Sequence, residues 1–233
     1  MSATDILFIG AHAGDAEIAG GMALANAVNS GRKVAICHLT LGEKGHPKMT
    51  PEDYASLKRQ EAESAASVLD ARLYVLPYLD GTLPVGDEVK FAVAEVIRDC
   101  RPNVIITHHS RSIHKDHTSC HLNVPDAIFY AAIKGFESEN EPHFCRALYF
   151  AENWEDAEEF VPEVILEVTR EDIALWKEMV SRYSLFRGEV VPFPYVEYYE
   201  KLARVRGIEN YLEYAVGFGV PAGARRRRVK GLV

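Results

Sequence analysis

Apolar residues recur along this chain in short runs closed by glycine, proline or a polar turn, and the runs alternate with amphipathic segments. Residues 5–11 form the first run; it is brief and bounded by Gly10, which reads as a buried strand. Residues 17–29 read as a helix with Ile18, Met22, Ala25 and Val28 on one face, and Gly31 is placed to end it. The pair Gly20 and Gly21 allows that helix to lie close on a sheet. A second strand is expected over 32–40, and a polar loop over 41–49. Thr50-Pro51-Glu52-Asp53 is a helix start, with a capping threonine and a proline at the first position, and the helix runs to about Leu69. Residues 72–77 predict a third strand, with Asp80-Gly81 in the following turn. A helix over 87–100 turns Val89, Val93, Val96 and Ile97 inward, and Pro102 breaks it. The fourth strand, 103–107, is apolar enough to be central. A helix over 118–133 follows.

Strand and helix alternating this regularly imply an α/β fold, Rossmann-like, with three α/β/α layers and a mostly parallel sheet. Beyond residue 139 the pattern loosens. Strands are expected over 147–150 and 164–168, and a helix over 170–186 with Ile173, Trp176, Val180 and Tyr183 on one face. Pro192 and Pro194 break the chain before a last helix over 195–212. No repeat or linker divides the sequence, so one domain over 1–233 is expected, its C-terminal third irregular from about 140.

The chain has 233 residues, 48% of them hydrophobic, and a net charge of −8, which argues against nucleic acid as a partner. Four arginines at 225–228 run against that balance and read as a solvated tail or a contact to another subunit. The four cysteines are widely spaced without a C-x-x-C, and a reducing cytoplasm is the expected setting. The first apolar run is too short for a membrane span and lacks the basic start of a signal peptide.

Chemistry concentrates after two of the strands. His12 and Asp15 stand three apart in a small-residue turn, and His108, His109, His114 and His117 fall within ten residues after the fourth strand. In a parallel sheet both turns lie at the same edge, where open α/β sheets hold ligands. His12, Asp15 and one of the later histidines can therefore share one metal, and a hydrogen-bonded polar cluster is the alternative. The glycines do not spell G-x-G-x-x-G, which disfavours a dinucleotide site.

Ala11-His12-Ala13-Gly14-Asp15-Ala16-Glu17 with His114-Lys115-Asp116-His117 resembles the zinc-dependent PIG-L/LmbE-type de-N-acetylases, whose two motifs are His-Pro/Ala-Asp-Asp-x-Glu and His-Pro-Asp-His. The resemblance extends through Leu39 to Gly45, Arg59-Gln60-Glu61, Asp80-Gly81, Arg206-Gly207 and Tyr214-Ala215. It implies hydrolysis of an N-acetyl group from an N-acetylglucosamine-type sugar or conjugate. It implies His12, Asp15 and His117 as ligands of Zn2+, although such ligands also suit iron, cobalt or manganese. His114 would stand near the substrate carbonyl, and Asp116 would orient it. Arg59, Asp80 and Glu43 would contact substrate. Family members often form closed assemblies, so a homo-oligomer is also implied.

The sequence departs from the motif at Gly14, where the family carries a second aspartate, the general base. Asp116, His114, His109 and Glu43 are candidate replacements. The other readings are a slow hydrolase without a base, or a protein that binds an acetamido sugar without turning it over. Aspartate restored at position 14 is expected to raise the rate if the fold tolerates it. Trp154 is a stacking platform for a sugar or a core residue. Tyr195, Tyr198 and Tyr199 are either packing residues or a source of a lid tyrosine.

Overall fold

The computed structural model describes residues 4–155 and 159–225. Seven strands form one sheet: β1 (Ile6–Gly10), β2 (Val34–His38), β3 (Arg72–Val75), β4 (Val104–His108), β5 (Ala147–Ala151), β6 (Val164–Val168) and β7 (Tyr214–Gly219). Their order is β3-β2-β1-β4-β5-β7-β6. The first five are parallel, and β7 is antiparallel to both β5 and β6. The expected mostly parallel α/β sheet is thus present, with β4 at its centre.

Alternation along β1 separates two cores. Leu7 and Ile9 join Leu39, Val93, Ile97 and Val124 on the face covered by α4 (Asp87–Cys100) and α5 (Lys115–Ala132). Phe8 points the other way, into a cluster with Met22, Leu24, Trp176, Met179 and Tyr183. That face carries α1 (Asp15–Ala19), α2 (Gly21–Asn29), α3 (Pro51–Val68), α6 (Arg170–Val180) and α7 (Tyr195–Glu209). Strands buried on both faces explain the near-continuous apolar runs.

The helix expected over 17–29 is two helices meeting at Gly20. Close packing sets the break: a Cβ on Gly20 would lie 2.3 Å from the Phe8 ring, and one on Gly21 2.5 Å from Met179 Cε. Thr50 caps α3 as expected, its side chain accepting from the Asp53 N–H. The last helix ends at Glu209, and β7 follows, a strand the hydrophobic pattern does not announce. The arginines at 225–228 lie outside the residues whose side chains are described.

Candidate active site

The five parallel strands point their carboxyl ends at one cavity of about 230 Å³. The chain progresses outward from β1 to β2 and β3 on one side, and from β4 to β5 on the other. The crevice between the β1 and β4 loops is therefore the topological switch point, where such sheets bind ligands. The β1 loop supplies His12 and the first residue of α1 Asp15, the β4 loop His114 and the first turn of α5 His117, the β3 loop Asp80 and the β5 loop Glu155.

Three imidazole nitrogens converge on one carboxylate oxygen. Asp15 Oδ2 lies 3.3 Å from His12 Nδ1, 3.4 Å from His117 Nε2 and 3.1 Å from His108 Nε2. It also accepts the His12 backbone N–H at 2.7 Å. Zinc bonds of about 2.0–2.1 Å in tetrahedral geometry set neighbouring ligand atoms about 3.3–3.4 Å apart. The two edges from Asp15 to His12 and His117 match that spacing. His108 Nε2 accepts the Ala11 N–H at 3.0 Å, so it faces the Asp15 oxygen acceptor to acceptor, an arrangement a cation relieves. Among the described residues, the groups able to hold an ion are His12, His114 and His117; Asp15, His108 and His117; and His12, Asp80 and Asp116.

Charge follows this geometry. Burial would push the Asp15 carboxyl up, but His117 and His12 beside it hold it well below the usual carboxylate range. Burial opposes charge on His12 too, yet Asp15, Asp116 and Asp80 raise its pKa well above an ordinary histidine. His117 is raised as well, Asp15 outweighing its burial. Burial and the neighbouring His117 push His108 down to about 4. Burial, with His12 and His117 nearby, also lowers His114 and favours its neutral form. His114 Nδ1 accepts the Asp116 N–H at 3.2 Å, so the neutral ring carries its hydrogen on Nε2 and remains a donor.

Asp80 lines the cavity and reaches His12 Nε2 at 3.2 Å. Glu43 does not line it. Its Oε1 accepts the Asp80 N–H at 2.9 Å, so Glu43 shapes the Asp80 loop from behind. Asp116 is fully buried, accepts from the Gly81 and Leu83 N–H groups, and faces His12 Nε2 at 3.5 Å. Its backbone N–H meets the His114 ring, while its side chain holds the Asp80-Gly81 turn. Arg59 is exposed and away from the cavity, because Lys58 shares the inward face of α3 with Tyr54 and Ala62. His109 also lies off the cavity, edge-on to Phe160.

Lys58 and Glu155 are charged-type lining residues outside both histidine motifs. Lys58 is buried, its Nζ donating to the Ala13 carbonyl. Glu155 Oε2 stands 3.3 Å from His117 Nδ1, and burial raises its pKa. Inward helical periodicity could have found Lys58; no pattern marks Glu155, which lies in a loop. Trp154 lines the cavity and stacks on Phe193. Tyr195 and Tyr199 line it, and Tyr199 donates to Asn153 Oδ1 at 2.9 Å. Tyr198 lies outside it.

Known proteins resemble this one along most of its length. The chain is 30% identical over 188 residues to 1D-myo-inositol 2-acetamido-2-deoxy-alpha-D-glucopyranoside deacetylase of Thermomonospora curvata, covering 64% of this chain and 61% of that one. It is 22% identical over 212 residues to 4-oxalmesaconate hydratase of Pseudomonas putida, covering 87% and 80%. The crystal structure of a conserved protein from Thermus thermophilus superposes with a TM-score of 0.82 at 27% identity, covering 97% of this chain and all of that one. The pattern of the PIG-L family, GlcNAc-PI de-N-acetylase, matches residues 7–128, which hold both the His12–Asp15 turn and the His114–His117 segment. That match spans just over half of the 233 residues, and the chain belongs to the PIG-L family.

Proposed function

We propose that the protein is a metal-dependent hydrolase that removes an N-acetyl group from an N-acetylglucosamine-type sugar or sugar conjugate. The convergence of His12 Nδ1 and His117 Nε2 on Asp15 Oδ2 at 3.3 and 3.4 Å, inside the cavity, carries this reading. These three residues would hold the metal, Zn2+ by their donor set. When bound, the cation would polarise the acetyl carbonyl and make water nucleophilic near neutral pH.

The chain's own residues do the rest. The neutral His114 presents its Nε2 hydrogen to the developing oxyanion. Ser112 Oγ, hydrogen-bonded to His117 Nδ1 at 3.2 Å, orients that ring, and the Glu155 carboxylate beside the same nitrogen adds negative charge. Asp80 accepts sugar hydroxyls, and Trp154 with Tyr195 forms an apolar wall for the ring. The four cysteines are all free and buried, which suits a reducing cytoplasm. Among the described residues no helix is long and apolar enough to cross a membrane.

A second reading rests on Gly14, which cannot accept a proton: a protein that binds an acetamido sugar without efficient turnover. Elemental analysis of wild type and His117→Ala, joined to acetate release from N-acetylglucosamine derivatives, separates the two. One zinc per chain with acetate release supports the hydrolase. One zinc per chain, tight sugar binding and no acetate favour the second reading. Equal metal in wild type and variant sinks the site.

A further inference from the structure

Lys58 is buried on the inward face of α3, only 3% exposed, and lines the same cavity as His12, Asp15 and His117. Its Nζ donates to the carbonyl of Ala13, the residue between His12 and Gly14. The ring centre of Tyr183 lies 4.8 Å from Nζ and that of Tyr54 5.9 Å. A Cβ built on Gly14 would come within 3.5 Å of Nζ. The amine therefore sits beside the place a side chain at position 14 would take. Two features that look unrelated in sequence, a glycine in the β1 turn and a lysine in α3, are neighbours in space.

The charged and titratable groups around Lys58 come from several elements. Glu61 stands on the same helix, Asp15 and Glu17 on α1, and Asp80 on the β3 loop. The phenols of Tyr54 and Tyr183 flank it. Burial lowers the ammonium's pKa against the pull of those four carboxylates. A cation held by His12, Asp15 and His117 would push in the same direction. A neutral amine keeps one hydrogen on the Ala13 carbonyl and has a lone pair for the cavity.

We infer that Lys58 is the proton acceptor and donor of this site, in the place of the carboxylate that Gly14 lacks. The inference rests on the amide-hydrolase reading. The Lys58 lone pair takes one proton from the attacking water as the water oxygen bonds to the acetyl carbon. The carbonyl π pair moves onto its oxygen. As the carbonyl reforms and the C–N bond breaks, the Lys58 ammonium passes that proton to the departing nitrogen. Acetic acid and a free amine result; the acid loses its proton to solvent, and Lys58 is neutral again.

Competitive labelling with acetic anhydride, read by mass spectrometry on the zinc-loaded wild type, measures the titration of Lys58 without using activity. A midpoint lowered from the about 10.4 of an ordinary lysine is expected, since burial disfavours the ammonium. Lys58→Arg keeps a cation but cannot take a proton near neutral pH. It should hold wild-type zinc and KM while kcat falls about a hundredfold or more. Lys58→Ala should regain activity with added primary amines, the more basic amines rescuing best. A Lys58 midpoint that is not lowered from the about 10.4 of an ordinary lysine, or a Lys58→Arg protein with a smaller loss, overturns the inference. So does a folded, zinc-loaded Lys58→Ala protein that amines do not rescue. A wild type that releases no acetate overturns the hydrolase reading instead, and the labelling result shows which of the two has failed.

Discussion

Asp15 and Glu17 stand two residues apart on α1, and each meets histidine. Asp15 faces the cavity, where His12, His108 and His117 crowd one oxygen. Glu17 is fully buried and saturated: Oε1 takes the Tyr183 hydroxyl at 2.8 Å and contacts His38 Nε2 at 3.2 Å, and Oε2 takes the Gly14 N–H at 3.2 Å. The same ingredients thus make two different things. A carboxylate whose partners use up its oxygens is a brace. A carboxylate on which three imidazole nitrogens converge at the wall of a cavity is open to a ligand. Residue type alone does not separate them; access to the cavity and the crowding of one oxygen do.

The largest test removes the site and keeps the brace. Asp15→Asn should lose bound zinc and more than a hundredfold in activity, since even residues behind a metal ligand cost about 10–100-fold. Its metal-free melting temperature should stay near that of the metal-free wild type. Retained zinc would break the contrast. The converse change, Glu17→Ala, leaves Gly14 N–H, Tyr183 and His38 without a buried partner. It should cost about 3 kcal/mol or more in denaturant unfolding, with one zinc still bound per folded chain. A Glu17→Ala protein of wild-type stability would show that the brace is no brace.

Gly14, which Glu17 holds by its N–H, comes next. Its φ is +110°, and a Cβ there would lie 3.1 Å from Phe186 Cζ. Gly14→Asp should lose about 1–3 kcal/mol through backbone strain alone. The structure gives little room for the rate gain that the motif suggests, and a carboxylate there would also pair with the Lys58 amine. Unfolding curves and acetate release on the same preparation check both effects.

The smallest effect belongs to Asp172, a third carboxylate, engaged like Glu17 but far from the cavity. It takes N–H groups of Asn26, Asn29 and Thr169 at 2.7–2.9 Å, tying α2 to α6. Burial would raise its pKa, but these hydrogen bonds hold it below the ordinary value. A depressed folded pKa means the stabilisation is complete above about pH 4 and is lost as pH falls through the folded value. Asp172→Asn should cost about 1–2 kcal/mol at pH 7, and the gap to wild type should shrink on acidification. Melting temperatures of both proteins from neutral to acid pH test this.

The regular half of the fold was legible because its central strands β1, β2 and β4 are largely buried on both faces and its helices carry apolar stripes. The same regularity made the edge of the sheet predictable, and with it the meeting of His12 and Asp15 with His114 and His117. What escaped the sequence has local causes. Tyr214–Gly219 carries two glycines that weaken its strand signal, and one of them, Gly217, leaves room that a Cβ would need 2.7 Å from Pro162. Gly20 splits a helix because Phe8 lies beneath it, a tertiary fact. Lys58 and Arg59 differ by about 100° around one helix, so only Lys58 shares the buried face with Tyr54 and Ala62, a distinction that motif spacing does not make. Glu155 reaches His117 from a loop, where no periodicity operates.

Among the described residues β6 pairs with β7 alone, and β7 follows it in the chain. During synthesis, then, residues 164–168 leave the ribosome some fifty positions before anything exists for them to pair with. Until 214–219 arrives, β5 presents a bare edge beside the cavity loop that holds Asn153 and Glu155. A nascent protein thus holds both histidine motifs while the β5 edge beside the Asn153–Glu155 loop still lacks its neighbour, so pairing of β7 is what closes that edge.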